Sequence, residues 1–375
     1  MNKKKVLIAF LGNINFDTRC FNLYNSLNEF EYDVEFIGFD WLTTDFKSTK
    51  GKQTIYKLQK KFPSVFFYLK FFFILKYNLI IRKYDIIFAE DLYCLPLCVI
   101  FGKLKRAKVI YDCRELFGFL AGLKEKPFVQ QLWRLTERFF INKADIVIVT
   151  GKMDEDFLKK EYHLSNTIVI RNLPPFKKSK SPIDFHSKYK IDRTKKILLY
   201  QGVVVHGRGL KIIYEILRKS NDYILVILGD GEHLEYYKNL SKFFLIEDKV
   251  IFEGKIAQRE LVDYTSSAFL GLALIENLSL SYYYALPNKL FEFIMAEVPV
   301  LATNLPQMRE IIDKFEVGFV VEEDDIESMR LTIDKLNNNK FLYEQLKDNC
   351  KKASKILCWE NEFKALEKKI QELLE

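Results

Sequence analysis

The feature that most constrains this chain is an alternation, run through twice, of short apolar segments with longer stretches of helical spacing. In the first half the apolar segments are Val6 to Leu11, Val34 to Gly38, Ile86 to Ala89, Lys108 to Tyr111, Ile146 to Thr150 and Thr167 to Ile170. Helical patterns such as Arg19 to Phe30 and Phe128 to Lys143 lie between most of them. Runs this short and this continuously apolar suit strands buried on both faces, and parallel strands need a crossover helix between them. The pattern predicts an α/β fold with parallel sheets.

The alternation closes near Asn172 and restarts after a polar stretch, Pro174 to Pro182, with the composition of a linker. The second set of strands is expected at Lys196 to Gln201, Tyr223 to Leu228, Val250 to Glu253, Leu270 to Leu274, Val300 to Ala302 and Gly318 to Val320. Two doubly wound, Rossmann-like domains follow, facing across a cleft at the carboxyl ends of their strands. The boundaries read as 1–173, a linker 174–195, 196–345, and carboxy-terminal helices 346–375 that pack back on the first domain.

Composition excludes other classes. With 49% apolar residues in 375, the chain has ample material for two cores and is not a disordered polyelectrolyte. Six scattered cysteines without a Cys-x-x-Cys pair, and only four histidines, offer little for a disulfide framework or a zinc cluster. A reducing, cytoplasmic compartment is expected. The basic start Lys3-Lys4-Lys5 is followed by too short an apolar run for a signal peptide.

The formal charge of +8 is concentrated: residues 47–83 hold ten Lys or Arg, nine aromatics and no Asp or Glu. Lys70 breaks the most apolar part, which falls short of the roughly 20 residues needed to span a bilayer. A core helix with lysines at its solvent edge accounts for this composition, and so does a helix that also contacts an anionic membrane surface. No recognisable nucleic-acid module is present, so nucleic acid is not an expected partner.

Three constellations carry chemistry in the second half. Gln201-Gly202 ends a strand and leads through Gly207-Arg208-Gly209 into a helix. There the backbone can approach a phosphate that a guanidinium neutralises, although such turns also serve plain chain reversal. Gly229-Asp230-Gly231-Glu232 ends another strand and reads equally as a tight turn or a ligand contact. In Leu286-Pro287-Asn288-Lys289-Leu290-Phe291-Glu292-Phe293, a helix begun at Pro287 or Asn288 sets Lys289 in its first turn and Glu292 one turn on. A carboxylate there can hold two neighbouring hydroxyls of a ribose while the lysine and the helix start face phosphate. An ordinary helix with one solvated Lys and one solvated Glu has the same spacing.

These motifs, with the following Pro299-Val300-Leu301-Ala302 and Asn304-Leu305-Pro306 with Glu310 and Gly318, resemble the retaining, GT-B-fold glycosyltransferases of family four, in the branch that builds bacterial surface polysaccharides. The resemblance covers both domains in order. It implies a nucleotide-sugar donor, UDP- or GDP-linked, with Arg208 and Lys289 on the diphosphate and Glu292 on the ribose. Gly202, Gly207, Gly229, Gly231 and Asn288 would line the donor. The family's first Glu, eight residues before Glu292, is here Tyr284, and Glu276 is the candidate substitute. On the acceptor side the resemblance implies Gly12 and Arg19 after the first strand, and Asp112, Arg114 and Glu115 in a segment where relatives carry His in place of Arg114.

The expected function is metal-independent transfer of a sugar to a lipid-linked glycan acceptor in surface polysaccharide biosynthesis, with no cofactor and peripheral membrane contact through residues 47–83. A nucleotide-sugar epimerase or hydrolase of the same fold, or a non-catalytic binding subunit, are the alternatives. Tyr284 and Arg114 give the last its weight. A dehydrogenase is disfavoured, because no Gly-x-Gly-x-x-Gly follows the opening strand.

Overall fold

The computed structural model describes residues 3–41, 47–59, 64–120 and 126–375. Lys60, Lys61 and Phe62 of the basic aromatic segment lie outside them. The chain forms two compact units, Met1–Arg171 with Glu362–Glu375, and Asn172–Asn361.

The first unit is built on seven strands: β1 (Lys5–Ala9), β2 (Asp33–Asp40), β3 (Gln53–Lys57), β4 (Ile86–Ala89), β5 (Lys108–Cys113), β6 (Ile146–Val149) and β7 (Thr167–Val169). They are ordered β3-β2-β1-β4-β5-β6-β7, with every pair parallel. The connecting helices are α1 (Thr18–Glu29), α2 (Ser64–Ile81), α3 (Leu95–Lys105), α4 (Pro127–Phe140) and α5 (Lys152–Tyr162). Right-handed crossovers put α2, α3 and α4 on one face of the sheet, since the chain steps toward β7 through each of them.

The second unit has six strands: β8 (Lys196–Gln201), β9 (Tyr223–Leu228), β10 (Val250–Gly254), β11 (Leu270–Ala273), β12 (Val300–Thr303) and β13 (Gly318–Val321), ordered β10-β9-β8-β11-β12-β13 and again parallel. Its helices are α6 (Phe185–Tyr189), α7 (Leu210–Lys219), α8 (Leu234–Phe243), α9 (Gln258–Thr265), α10 (Leu280–Tyr283), α11 (Asn288–Met295), α12 (Pro306–Phe315), α13 (Ile326–Asn338), α14 (Lys340–Ser354) and the start of α15 (Trp359–Leu374). Successive strand residues feed opposite cores, as the two-residue period of a strand requires. Ile197 and Leu199 join Phe291, Phe293 and Ile294 beneath one face, and Leu198 and Tyr200 join Ile213 and Leu217 beneath the other. In both units the order reverses at the central strand, so the crevice at the carboxyl ends opens beside β1 in one and β8 in the other.

Three features depart from the sequence expectation. Strand β3 lies inside the basic segment and was not expected; it is an edge strand whose half-buried Gln53, Tyr56 and Lys57 give little apolar signal. Residues 174–195, expected as a linker, pack on the second unit: Phe185 is fully buried in its core, and Asp263 accepts hydrogen bonds from Ser179 and from the backbone of Lys180. Of the carboxy-terminal residues expected to pack back on the first domain, 346–361 belong to the second unit, and only those from Glu362 onward belong to the first, where Phe363 meets the Phe30 ring at 5.1 Å and Arg171 donates to Glu362. All six cysteines are buried and unpaired. Among the described residues no helix is long and apolar enough to cross a membrane, and no group of His, Cys, Asp and Glu is arranged to hold a metal ion.

Candidate functional site

The site lies within the second unit, where the loops leaving β8, β9 and β10 meet the start of α11. Two loops approach backbone to backbone. The Gly202 amide donates to the Leu228 carbonyl at 2.9 Å, and the Val204 amide donates to the Asp230 carbonyl at 3.0 Å. Gly229 makes this possible: its φ is +153°, and a Cβ there would fall 1.9 Å from the Gly202 carbonyl oxygen. The loop after β8 then turns into α7 at Gly209, with φ +72° in the left-handed region that glycine tolerates.

Helix α11 starts at Asn288, after Pro287 in extended conformation. A helical advance of three residues puts Lys289 and Glu292 on the same face. The helix is anchored by Leu290, Phe291, Phe293 and Ile294, all fully buried, and burial of each such side chain is worth about 1.5–3 kcal/mol. That anchorage fixes where the two charged residues point. A cavity of about 500 Å³ results, lined among others by Tyr200, Gln201, Lys255, Gln258 and Leu261. Six of the expected donor-side residues line it: Gly202, Arg208, Gly229, Asn288, Lys289 and Glu292. Gly207, Gly231 and Glu276 do not. Glu276 sits beside the β8 loop instead, where its carboxylate accepts from the Gly209 amide at 3.4 Å and its own amide donates to the Gly207 carbonyl at 3.1 Å.

The electrostatics are those of a site prepared for an anion. Lys289 is 8% exposed and its Nζ has no hydrogen-bond acceptor, lying 4.2 Å from the centre of the Tyr200 ring. Burial and the nearby Arg208 charge push its ammonium down to about 7, against the opposing pull of Glu292. Arg208 stacks 4.8 Å from the centre of the Tyr282 ring. Two cations thus converge with one carboxylate nearby, and a buried, unsolvated ammonium is costly unless an anion pairs with it.

Glu292 is held by Gln201, read in the sequence only as the end of a strand, and by Gln258, which the sequence did not single out. Gln201 Nε2 donates to one carboxylate oxygen at 2.5 Å and Gln258 Nε2 to the other at 3.4 Å. Thr265 Oγ1 donates to Gln201 Oε1 at 2.9 Å, which fixes the orientation of that amide. Burial raises the Glu292 carboxyl while Gln258, Gln201 and Lys289 pull it down. Tyr284, at the position where the resemblance implies a first Glu, caps the end of α10, and its carbonyl accepts from Gln307.

The residues expected on the acceptor side form a different kind of structure in the first unit. Arg19 and Asp112 make a two-pronged ion pair, 2.5 and 3.0 Å, with Arg19 also donating to the Ile170 carbonyl at 3.0 Å, and both side chains are buried. Arg114 donates to Asp17 at 2.6 Å and to Glu90 at 2.5 Å. Burial pushes the Glu90 carboxyl up, and one of its oxygens is buried without a partner. Gly12 is buried with its carbonyl accepting from the Phe39 amide, and Glu115 is exposed. Arg19 and Asp112 are engaged with each other rather than open to a ligand. Asp91, next to Glu90, is engaged by the Leu11 and Cys94 amides.

Residues 183–355 match the family described as Glycosyl transferases group 1. An uncharacterized glycosyltransferase of Haemophilus influenzae is 27% identical over 220 residues, 57% of this chain and 58% of the relative. The alpha-monoglucosyldiacylglycerol synthase of Streptococcus pneumoniae is 26% identical over 203 residues, 50% of this chain and 44% of that one. The chain thus spans about half the length of these relatives. Among solved structures, sucrose-phosphate synthase from Thermosynechococcus elongatus matches with a TM-score of 0.82 at 16% identity, covering 99% of both chains. Anabaena Alr3699/HepE in complex with UDP-glucose matches with a TM-score of 0.72 at 13% identity, covering 99% of both chains. The chain shares the two-domain, parallel-sheet GT-B fold of these solved structures, and its residues 183–355 match the glycosyl transferases group 1 family.

Proposed function

We propose that this chain transfers a sugar, with retention, from a nucleoside-diphosphate sugar to a lipid-linked glycan acceptor in the synthesis of a bacterial surface polysaccharide. The observation that carries the reading is the buried Lys289 ammonium without an acceptor, converging with Arg208 on a cavity in which the Glu292 carboxylate is held in place by Gln201 and Gln258. In this reading Arg208 and Lys289 neutralise the diphosphate and Glu292 takes the ribose hydroxyls. The UDP-glucose held by the Anabaena relative of the same fold supports a uridine donor, and the glycolipid named for the streptococcal synthase supports a lipid acceptor.

The chemistry follows from where charge develops. The bond between the sugar and the diphosphate breaks with its electron pair on the leaving oxygen, and Arg208 and Lys289 stabilise that charge in a partly dry site. The acceptor hydroxyl attacks the cationic sugar carbon from the leaving-group side, and its proton passes to a phosphate oxygen. The two cations supply the charge compensation that a divalent metal supplies elsewhere, so transfer is expected without added metal. With Tyr284 in place of the first Glu, the transferred sugar is expected to rely on other contacts, Glu276 among them.

The test is a screen of UDP- and GDP-sugars with a lipid-linked oligosaccharide acceptor, following nucleoside diphosphate release with and without acceptor and with chelator. Acceptor-dependent release supports transfer. Release or sugar conversion without acceptor marks a hydrolase or an epimerase, and nucleotide binding without release marks a non-catalytic subunit.

A further inference from the structure

Helix α4 is turned inside out. Its carboxylate Glu137 is buried and accepts from the Tyr111 and Tyr162 hydroxyls, each at 3.0 Å. Meanwhile Phe128, Leu132, Leu135 and Phe139, spaced four, three and four residues apart, are each more than half exposed. A stripe at that spacing lies along one helix face, and in a globular domain that face normally meets the core.

Helix α2 has two apolar faces. Phe67, Phe71, Leu75 and Leu79 are buried against the unit, while Phe66, Leu69, Phe73 and Tyr77 on the opposite side are each more than half exposed. The two helices are neighbours, because Tyr68 of α2 and Trp133 of α4 approach to 6.3 Å and both pack on Tyr93. Helix α3 completes the layer: Leu104 is 73% exposed, and Lys105 reaches the Ile80 and Arg82 carbonyls beyond the end of α2.

We propose that this α2–α3–α4 face of the first unit docks onto a membrane surface rich in anionic lipid. The charge around the apolar stripes selects that occupant. Helix α2 contains no Asp or Glu, and Lys70 and Lys76 along it and Lys83 just past its end are exposed, joined by Lys103 and Arg106 at the end of α3. Lysine stems can lie along apolar surface while their ammonium groups reach lipid phosphates. A second copy of the same face would set these cations against one another. The face belongs to the first unit and the cavity to the second, and the observations behind it use none of the cavity's residues, so the inference does not depend on the transferase reading.

The experiment is flotation of the full chain with vesicles of phosphatidylcholine alone or mixed equally with phosphatidylglycerol, alongside sedimentation without lipid. The protein is expected to float with the mixed vesicles at low salt and to be released at about 1 M salt, where screening acts within about 3 Å. Leu132→Glu with Phe139→Glu, and separately Lys70→Glu with Lys76→Glu, should each lower the bound fraction at least about tenfold. Melting curves of the variants, altered only at exposed positions, are expected to match the parent. Absence of flotation at low salt, variants that float like the parent, or a stable dimer abolished by the same substitutions would each overturn the proposal.

Discussion

The Lys289 ammonium rests over the Tyr200 ring, 4.2 Å from its centre, with no carboxylate or carbonyl to receive its protons. Burial and Arg208 hold it at about 7, so near neutrality the empty site is only partly protonated. A diphosphate placed against it would draw the lysine back to full charge. UDP binding is therefore expected to take up close to one proton above about pH 8 and almost none from this group below about pH 6. Calorimetry in buffers of different ionisation enthalpy measures that uptake. Affinity should decline as pH rises above 7, and equal uptake at both ends of the range would remove Lys289 from the diphosphate.

The same burial makes a prediction about stability in the absence of ligand. Because the folded value lies below the ordinary 10.5, folding costs the lysine its proton between those two values, and the unfolded chain binds more protons there. Stability from this group should rise with pH from about 7 toward 10.5, being lowest when the buried ammonium is forced to stay charged. Lys289→Met should flatten that slope and raise the free energy of unfolding at pH 6 by about 1 kcal/mol or more, while nucleotide affinity falls by orders of magnitude. Urea melts at two pH values, with a nucleotide titration, separate the two effects.

Gln201 is expected to act as a positioning residue through Glu292. Its amide is oriented by Thr265 and donates to the carboxylate that burial otherwise pushes up. Gln201→Leu removes a donor to the charged form, so the Glu292 carboxyl should rise further and nucleotide binding should be lost at a higher pH than in the parent. A loss of about tenfold in affinity at pH 7 is expected, consistent with one charge-assisted hydrogen bond. The displaced acid limb distinguishes this from mere loosening, which would weaken binding equally at all pH values. Gln201→Glu, with a second carboxylate against the first, should be worse than Leu.

What the sequence disclosed follows from how locally each feature is encoded. The twelve expected strands were legible because strands covered on both faces are written as unbroken apolar runs, and β3 was missed because an edge strand needs no such run. Lys289 and Glu292 were legible as neighbours because three residues along α11 fix their relation. The roles of Tyr200, Gln258 and Thr265 were not, since they come from β8 and α9, and only the fold brings Gln258 to the carboxylate, Thr265 to Gln201 and Tyr200 beneath Lys289. The polar stretch after Pro174 read as a linker because its Ser and Lys residues outnumber Ile183 and Phe185, yet those two side chains decide where it packs.

The contact between the β8 and β9 loops predicts a contrast between two glycines. A Cβ on Gly229 would meet the Gly202 carbonyl at 1.9 Å, whereas a Cβ on Gly202 has nothing within 4 Å and is disfavoured only by its φ of +124°. Gly229→Ala must push two backbones apart at the cavity wall and should cost about 2–3 kcal/mol with loss of nucleotide binding. Gly202→Ala should cost about 1 kcal/mol and leave binding measurable. Equal effects would mean that the loops are free to separate.

Arg19 and Asp112 come from α1 and β5, 93 residues apart, and form a buried pair in which Arg19 Nη1 also donates to the Ile170 carbonyl. Removing one partner leaves the other charged and unsolvated, so Arg19→Met should destabilise the first unit by about 3–5 kcal/mol. Removing both replaces the pair with apolar surface, and Arg19→Met with Asp112→Leu should recover much of that loss. An acceptor-binding role predicts the opposite relation: the double variant would be no more active than either single variant, even where its stability is restored. Measuring melting and transfer on the same three proteins decides between them, because the pair couples positively in stability under the structural role and shows no such recovery in activity if either side chain touches the acceptor.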